Sequence, residues 1–306
     1  MKASLTPLYR FWQPRYWLTW VGIGLLRLVM ALPQSARMSC GRVMGRCVRL
    51  ISNRRPIVAR NLELCFPELP AREREKMGRK HAESVGMSAI ELGMNFWCSD
   101  AELERLFELR GTEHLLAGLE EGHGVLLLCG HFIYTELGCR LLKKLAPSMA
   151  AMYRPSGKLL SDNLMHRCRR NSYDILVSKD NVRGMLRLLK ENRPVIYAPD
   201  QAYTGKSMAL IPFFGEPAAT NTATRQIAQI SKAPVVPFFT YRLENGTGYC
   251  VELQPALKDF PGESAEADAL TINRVLEEQI RRVPEQYYWV HRRFKGRGPD
   301  YPDPYA

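Results

Sequence analysis

The sequence predicts an α/β sheet flanked by helices, preceded by a helical segment that attaches to a membrane. Three observations lead there. Short apolar runs such as GVLLLCG (124–130) and PVIYAPD (194–200) alternate with longer amphipathic stretches, as strands alternate with helices in an α/β sheet. Residues 16–32 form an apolar run broken only by Arg27. The charge is also divided: the 306 residues carry 43 Lys and Arg against 31 Asp and Glu, a formal charge of +12, yet residues 1–60 hold no acid and the first carboxylate is Glu63. A basic head therefore sits on a nearly neutral body.

Several classes are excluded at this level. A chain that is 46% hydrophobic and 24% charged is globular, not disordered or collagen-like. With a single long apolar stretch it is no multi-pass transporter. Positive charge confined to one end, beside an apolar run, points to anionic lipid and away from nucleic acid. The eight cysteines include no C-x-x-C pair and lie mostly in apolar or helical stretches, so they read as reduced packing residues facing the cytoplasm.

In the head, the run 16–32 would span roughly 26 Å as a helix, just short of the ~30 Å hydrocarbon core. Tyr9, Trp12, Tyr16, Trp17 and Trp20 gather at its leading end like an interfacial aromatic belt. After it, Arg42, Arg46 and Arg49 share one helical face while Val43, Cys47, Leu50 and Ile51 lie on another, a basic amphipathic helix of the surface-lying kind. A cleaved signal peptide lacks its A-x-A site, and a buried core helix competes; the segment reads as membrane-attached, either as a transmembrane helix or at the interface. Residues 1–60 are taken as this anchor and 61–306 as the α/β domain.

In the body, residues 71–97 and then AELERLFEL (101–109) read as helical, and TEHLLAGLEEGHG (112–124) as a helix closed by glycine. The strand at 124–130 runs into a helix over 131–145. DNVRGMLRLLKE (180–191) is amphipathic, with Asp180 as its N-cap, and Pro194 opens the next strand. TNTATRQIAQISK (220–232) is helical; residues 233–243 and 248–257 form a strand pair joined at Asn245-Gly246. A last helix over 269–283 precedes the aromatic-basic segment QYYWVHRRFK (286–295).

The chemistry points to GHFIYTE (130–136). A buried strand delivers Gly130-His131 into a turn, and Glu136 lies five residues on, in the following helix. Glu136 can swing beneath the imidazole, fix its tautomer and stabilise its charged form, leaving the other ring nitrogen as a base for an alcohol. No G-x-S-x-G elbow is present, so the alcohol belongs to the substrate. A buried structural His–Glu pair is the competing reading. Backbone N–H groups after Gly130 are the expected oxyanion donors. No His/Cys cluster with metal-ligand spacing is visible, and no metal or cofactor is expected.

GHFIYTELG, together with YRP (153–155), RCRRNS (167–172), YAPDQAYTG (197–205) and PEQYYWVHRRFK (284–295), resembles the lipid A biosynthesis acyltransferases. NLELCFPEL (61–69) and WQPRYWLTWVGIG near the start extend the resemblance over essentially the whole chain, and it looks nearest to the lauroyl-type late acyltransferases. The resemblance implies a glycerolipid-acyltransferase-like mixed sheet. It also implies transfer of a fatty acyl chain, laurate first, from an acyl carrier protein thioester to a hydroxyl on the Kdo-bearing, phosphorylated tetraacyl lipid A precursor. His131 and Glu136 take the family's motif positions, Arg169 its basic block and Asp200 the acid of its YAPD block. The register among Arg167, Arg169 and Arg170 stays open. Arg154, Arg169 and Arg170 suit phosphate recognition by planar forks, with Asp200 alongside them at the substrate. Inner membrane lipids and acyl carrier protein are the implied partners, and the inner membrane, with the site on its cytoplasmic side, the implied location. Transfer of palmitoleate or myristate, a lipid hydrolase and a non-catalytic anionic-lipid scaffold are the alternatives.

Overall fold

The runs VLLL and PVIY become neighbouring central strands of a seven-stranded sheet, buried at every residue. The computed structural model describes residues 5–133, 135–146, 148–244 and 248–306. Helices α1 (Trp17–Val29), α2 (Gln34–Ile51), α3 (Arg55–Cys65) and α4 (Ala71–Trp97) come first. The alternation then begins with α5 (Asp100–Glu104), β1 (Phe107–Arg110), α6 (Thr112–Glu120), β2 (Val125–Leu128) and α7 (Thr135–Leu145). It continues through β3 (Ala150–Tyr153), α8 (Leu159–Ser172), β4 (Ile175–Ser178), α9 (Val182–Lys190) and β5 (Pro194–Tyr197). Last come β6 (Met208–Phe213), β7 (Glu216–Asn221), α10 (Ala223–Ser231), β8 (Val235–Arg242), β9 (Tyr249–Leu253) and α11 (Ala265–Arg282).

The sheet order is β1-β9-β8-β2-β5-β3-β4; β8 and β9 are antiparallel and every other neighbouring pair is parallel, so the sheet is mixed as expected. The period-2 alternation of β2 divides the core. Leu126 and Leu128 pack with α3, α9 and α11 on one face, while Val125 and Leu127 pack with α6 and α7 on the other.

Three local expectations change. Residues 107–110 form strand β1, not the end of a helix: α5 stops after five residues, and β1 joins β9 in parallel at the sheet edge. The N-cap of α9 is Asn181, whose side chain accepts from the N–H of Gly184, and not Asp180. Residues 220 and 221, expected in a helix, instead end the β6–β7 hairpin over 208–221, with Phe214-Gly215 as its two-residue turn at φ of 53° and 82°. The Asn245-Gly246 turn lies outside the described residues.

The head folds back on the body. Among the described residues no helix is long and apolar enough to cross a membrane, so the transmembrane helix is not found. The apolar run is cut at Val29, giving a 13-residue helix of roughly 20 Å. The chain then turns a corner held by Arg37, which donates to the carbonyls of Met30 (2.6 Å) and Leu32 (2.7 Å), and Pro33 caps α2. Position 60, where the domain boundary was drawn, falls inside α3, whose Val58 and Leu62 belong to the main core.

Helix α2 lies directly on α4 because both are glycine where they cross. A Cβ added at Gly86 would stand 2.1 Å from the Gly41 carbonyl oxygen and 2.4 Å from Gly45 N, both backbone atoms that cannot yield. Gly86→Ala should therefore destabilise the protein by about 2–3 kcal/mol through overpacking, whereas Gly24→Ala, with nothing within 4 Å, should gain up to about 1 kcal/mol of helix propensity. Denaturant melts of the two variants check this; equal changes would mean the helices do not depend on close approach.

Candidate active site

Parallel pairing of β2 and β5 sets Leu128 opposite Tyr197, and His131 and Asp200 each lie three residues beyond that pair. Two adjacent strand ends thus deliver an imidazole and a carboxylate to one spot, at the carboxyl edge where open α/β sheets bind ligands. The His131 Nδ1 stands 2.5 Å from Asp200 Oδ1, and its backbone N–H donates to Asp200 Oδ2 at 2.8 Å. The Tyr287 hydroxyl donates to the same Oδ2 at 2.9 Å. Tyr287 is itself pinned beside the motif: it bridges to Phe132, Tyr288 N–H donates to the His131 carbonyl at 2.9 Å, and Ile133 N–H donates to the Gln286 carbonyl at 2.8 Å.

The Asp200 side chain is fully buried, whereas that of His131 is 41% exposed. Burial opposes ionisation of Asp200, but the His131 charge and the donors converging on it outweigh that and hold its pKa at about 2. Burial likewise disfavours the imidazolium of His131, and the Asp200 charge and hydrogen bond overcome it, raising the pKa above its ordinary value, with Glu136 adding to the rise. A carboxylate at Nδ1 selects the tautomer with the proton there, so the neutral ring carries its lone pair on Nε2.

The expected partner of His131 therefore differs. Glu136 turns from the ring to Arg169, whose Nη2 lies 3.1 Å from its Oε1, and acts on His131 as a nearby charge. The reason is geometric: α7 begins only at Thr135, so Glu136 sits on its first turn facing α8, while Asp200 already occupies Nδ1 from the neighbouring strand. The arginines of this block differ in their contacts. Arg169 pairs with Glu136, Arg167 is held by Asn163 and the Thr6 carbonyl, and Arg170 and Arg154 are exposed.

The expected oxyanion donors are the N–H groups at the helix start after Gly130. The N–H groups of His131, Phe132 and Ile133 are spent on Asp200, Gly130 and Gln286. The first-turn N–H groups of α7 remain, as a helix start leaves them without intrahelical acceptors. His291 accepts from the Ala202 N–H through Nε2, with its pKa lowered to about 4 chiefly by burial. Arg293 is buried, bonded to the Ala219 carbonyl and Thr220, which fits a fold-closing role. His81, set in a charged stretch of the sequence, is buried on α4 with its pKa lowered to about 4 by burial. Tyr287 was missed: its block was legible, but a hydroxyl aimed 87 residues back along the chain leaves no local spacing to read. Among the described residues no group of three or more His, Cys, Asp or Glu could hold a metal ion.

Comparison with known proteins identifies the family. Residues 8–296 match the family described as bacterial lipid A biosynthesis acyltransferase. The chain is 40% identical to the lipid A biosynthesis lauroyltransferase of Escherichia coli (strain K12) over 95% of this chain and 96% of that protein. It is 36% identical to the palmitoleoyltransferase of the same organism, covering 94% of each chain. The myristoyltransferase is more distant, at 26% identity over 96% of this chain and 92% of that one.

Proposed function

Since the chain belongs to the bacterial lipid A biosynthesis acyltransferase family and is therefore an acyltransferase, we propose that it moves a fatty acyl group, laurate first, from an acyl carrier protein thioester to a hydroxyl of the Kdo-modified lipid A precursor. The observation that carries this reading is the half-exposed imidazole whose Nδ1 is bound to a buried carboxylate, beside an arginine. His131 Nε2 takes the proton of an acyl-chain hydroxyl as that oxygen attacks the thioester carbonyl. Asp200 stays ionised and, with Glu136, offsets the imidazolium charge. The tetrahedral oxyanion is met by the N–H groups at the start of α7. When the intermediate collapses the C–S bond breaks, and the imidazolium returns its proton to the departing thiolate.

Arg169, oriented by Glu136, binds an acceptor phosphate, with exposed Arg154 and Arg170 extending the basic approach. Arg169→Ala should raise the acceptor KM about tenfold or more and leave the donor KM within about twofold; equal effects on both would sink the role. The basic head and the apolar side chains left open on α1 and α2, among them Leu18 and Ile51, support a location at the inner membrane with the site on the cytoplasmic side, where acyl carrier protein is found. Mass analysis of product formed from the acceptor and a mixed pool of acyl carrier proteins tests the whole reading. A lauroyl product is expected; a palmitoleoyl or myristoyl product would move the chain to a sister specificity, and free fatty acid without acceptor would make it a hydrolase.

A further inference from the structure

A large cavity lies away from His131. The hollow at the His131–Asp200 pair measures about 10 Å³, whereas a cleft between α2, α3 and α4 measures about 590 Å³, within the size range of small-molecule sites. Its walls are apolar: Val48 from α2, Ile57, Val58 and Leu62 from α3, Val85 from α4, and Val290. Its rim is basic, with Arg49, Arg54, Arg55, Arg60 and Arg74 against only Glu63 and Glu75.

The rim arginines are not equivalent. Arg49 is committed to Glu75 at 2.6 Å, Arg60 to Glu63 at 2.6 Å, and Arg74 to the carbonyls of Phe66 and Leu69. Arg55 stands 3.6 Å from Glu75 with its side chain 56% exposed, and the Arg54 side chain has no partner among the described residues. Two adjacent guanidinium groups are thus available at the mouth of an apolar cleft. Beside that mouth, Leu50 and Ile51 of α2 are 80% and 86% exposed, continuing the apolar surface outward. Inside, His81 lines the wall, buried, with Nε2 unpartnered among the described residues.

The cleft is walled off from the catalytic pair. Asn61 donates to the carbonyls of Trp289 (2.7 Å) and His291 (2.8 Å) and accepts from the Tyr305 hydroxyl. Leu62, Val290 and Tyr305 face the cleft side of this partition; Asn61, Trp289 and His291 face the His131 side. An acyl chain in the cleft cannot present its carbonyl to His131, which argues against the donor as occupant. We infer that the α2–α3–α4 cleft binds one anionic glycerophospholipid of the membrane as a non-reacting ligand, its acyl chains against the apolar walls and its phosphate on Arg54 and Arg55. Charge complementarity and an apolar path from the exposed α2 face select this occupant.

The test uses the full chain in detergent, loaded with phosphatidylglycerol or phosphatidylcholine and read by native mass spectrometry. One phosphatidylglycerol per chain should be retained, at least about tenfold over phosphatidylcholine. Gly78→Leu places a side chain in the cleft at a point where an added Cβ meets only Leu62 Cδ1 at 3.7 Å, so it should keep the fold and acyl transfer while reducing retention about tenfold. The double variant Arg54→Glu, Arg55→Glu should erase the preference between the two lipids without filling the cleft. Equal retention of both lipids by the unaltered protein, undiminished retention in Gly78→Leu, or displacement of the bound lipid by acyl carrier protein thioester would overturn the site. Phosphatidylglycerol retained by a protein that transfers no acyl group would support the site and overturn the assigned reaction instead.

Discussion

His131→Ala is expected to lower kcat for acyl transfer on the order of 10³–10⁴-fold while leaving both KM values within a few-fold. The size follows from removing the base that takes the hydroxyl proton and later protonates the leaving thiolate. The substrate-binding groups assigned above, Arg169 foremost, stand on other elements and stay in place. Loss of the ring also strips one partner from the buried Asp200, which keeps the His131 N–H and the Tyr287 hydroxyl, so stability should fall by about 1–3 kcal/mol. Single-turnover kinetics with a melting curve on the same sample separate the two effects. Turnover near that of the unaltered protein would exclude His131 as the base.

Asp200→Asn carries the second large effect, and its signature is a pH shift as well as a rate. The amide keeps the shape of the carboxylate but not its charge, so it can hold the wrong tautomer and cannot stabilise the imidazolium; kcat should fall about 10³–10⁴-fold. The reactive form of His131 is neutral, and in the unaltered protein its pKa is raised, burial being outweighed by Asp200. The acidic limb of kcat/KM therefore lies above the ordinary histidine value and activity is lost as pH falls through it. Without the Asp200 charge, burial dominates and the limb should move to lower pH. Glu136→Gln should move it in the same direction by less, because Glu136 contributes only at a distance. A limb that moves for Glu136→Gln and not for Asp200→Asn would reverse the assignment of the two carboxylates. Because His131 and Asp200 act as one unit, the double variant should be little slower than either single one.

What the residues alone disclosed divides along a physical line. The buried strands β2, β5, β8 and β9 were legible as continuous apolar runs, and His131 was legible because the strand delivering it is. Edge strand β1 was not, since FELR is largely exposed and continues the charged pattern of the helix before it. The pairing of His131 with Asp200 was not legible either. It depends on β2 and β5 being neighbours across 69 residues of chain, whereas local spacing offers Glu136. The buried position of His81 was hidden in the same way, because a charged stretch of α4 surrounds it in sequence while other elements cover it in space.

The anchorage of the site to Gln286, Tyr287 and Tyr288 bears on how the protein is made. Synthesis runs from the amino end, and a nascent chain that has emerged only through β9 already contains both strands that carry His131 and Asp200. It lacks the hydroxyl on Asp200 and the two backbone bonds that hold residues 131–133 to the last segment. The acid would be left under-coordinated and the histidine turn unfastened until α11 and the residues after it have left the ribosome. The fastened His131–Asp200 pair is therefore completed only after the sheet and the amino-terminal helices have been made.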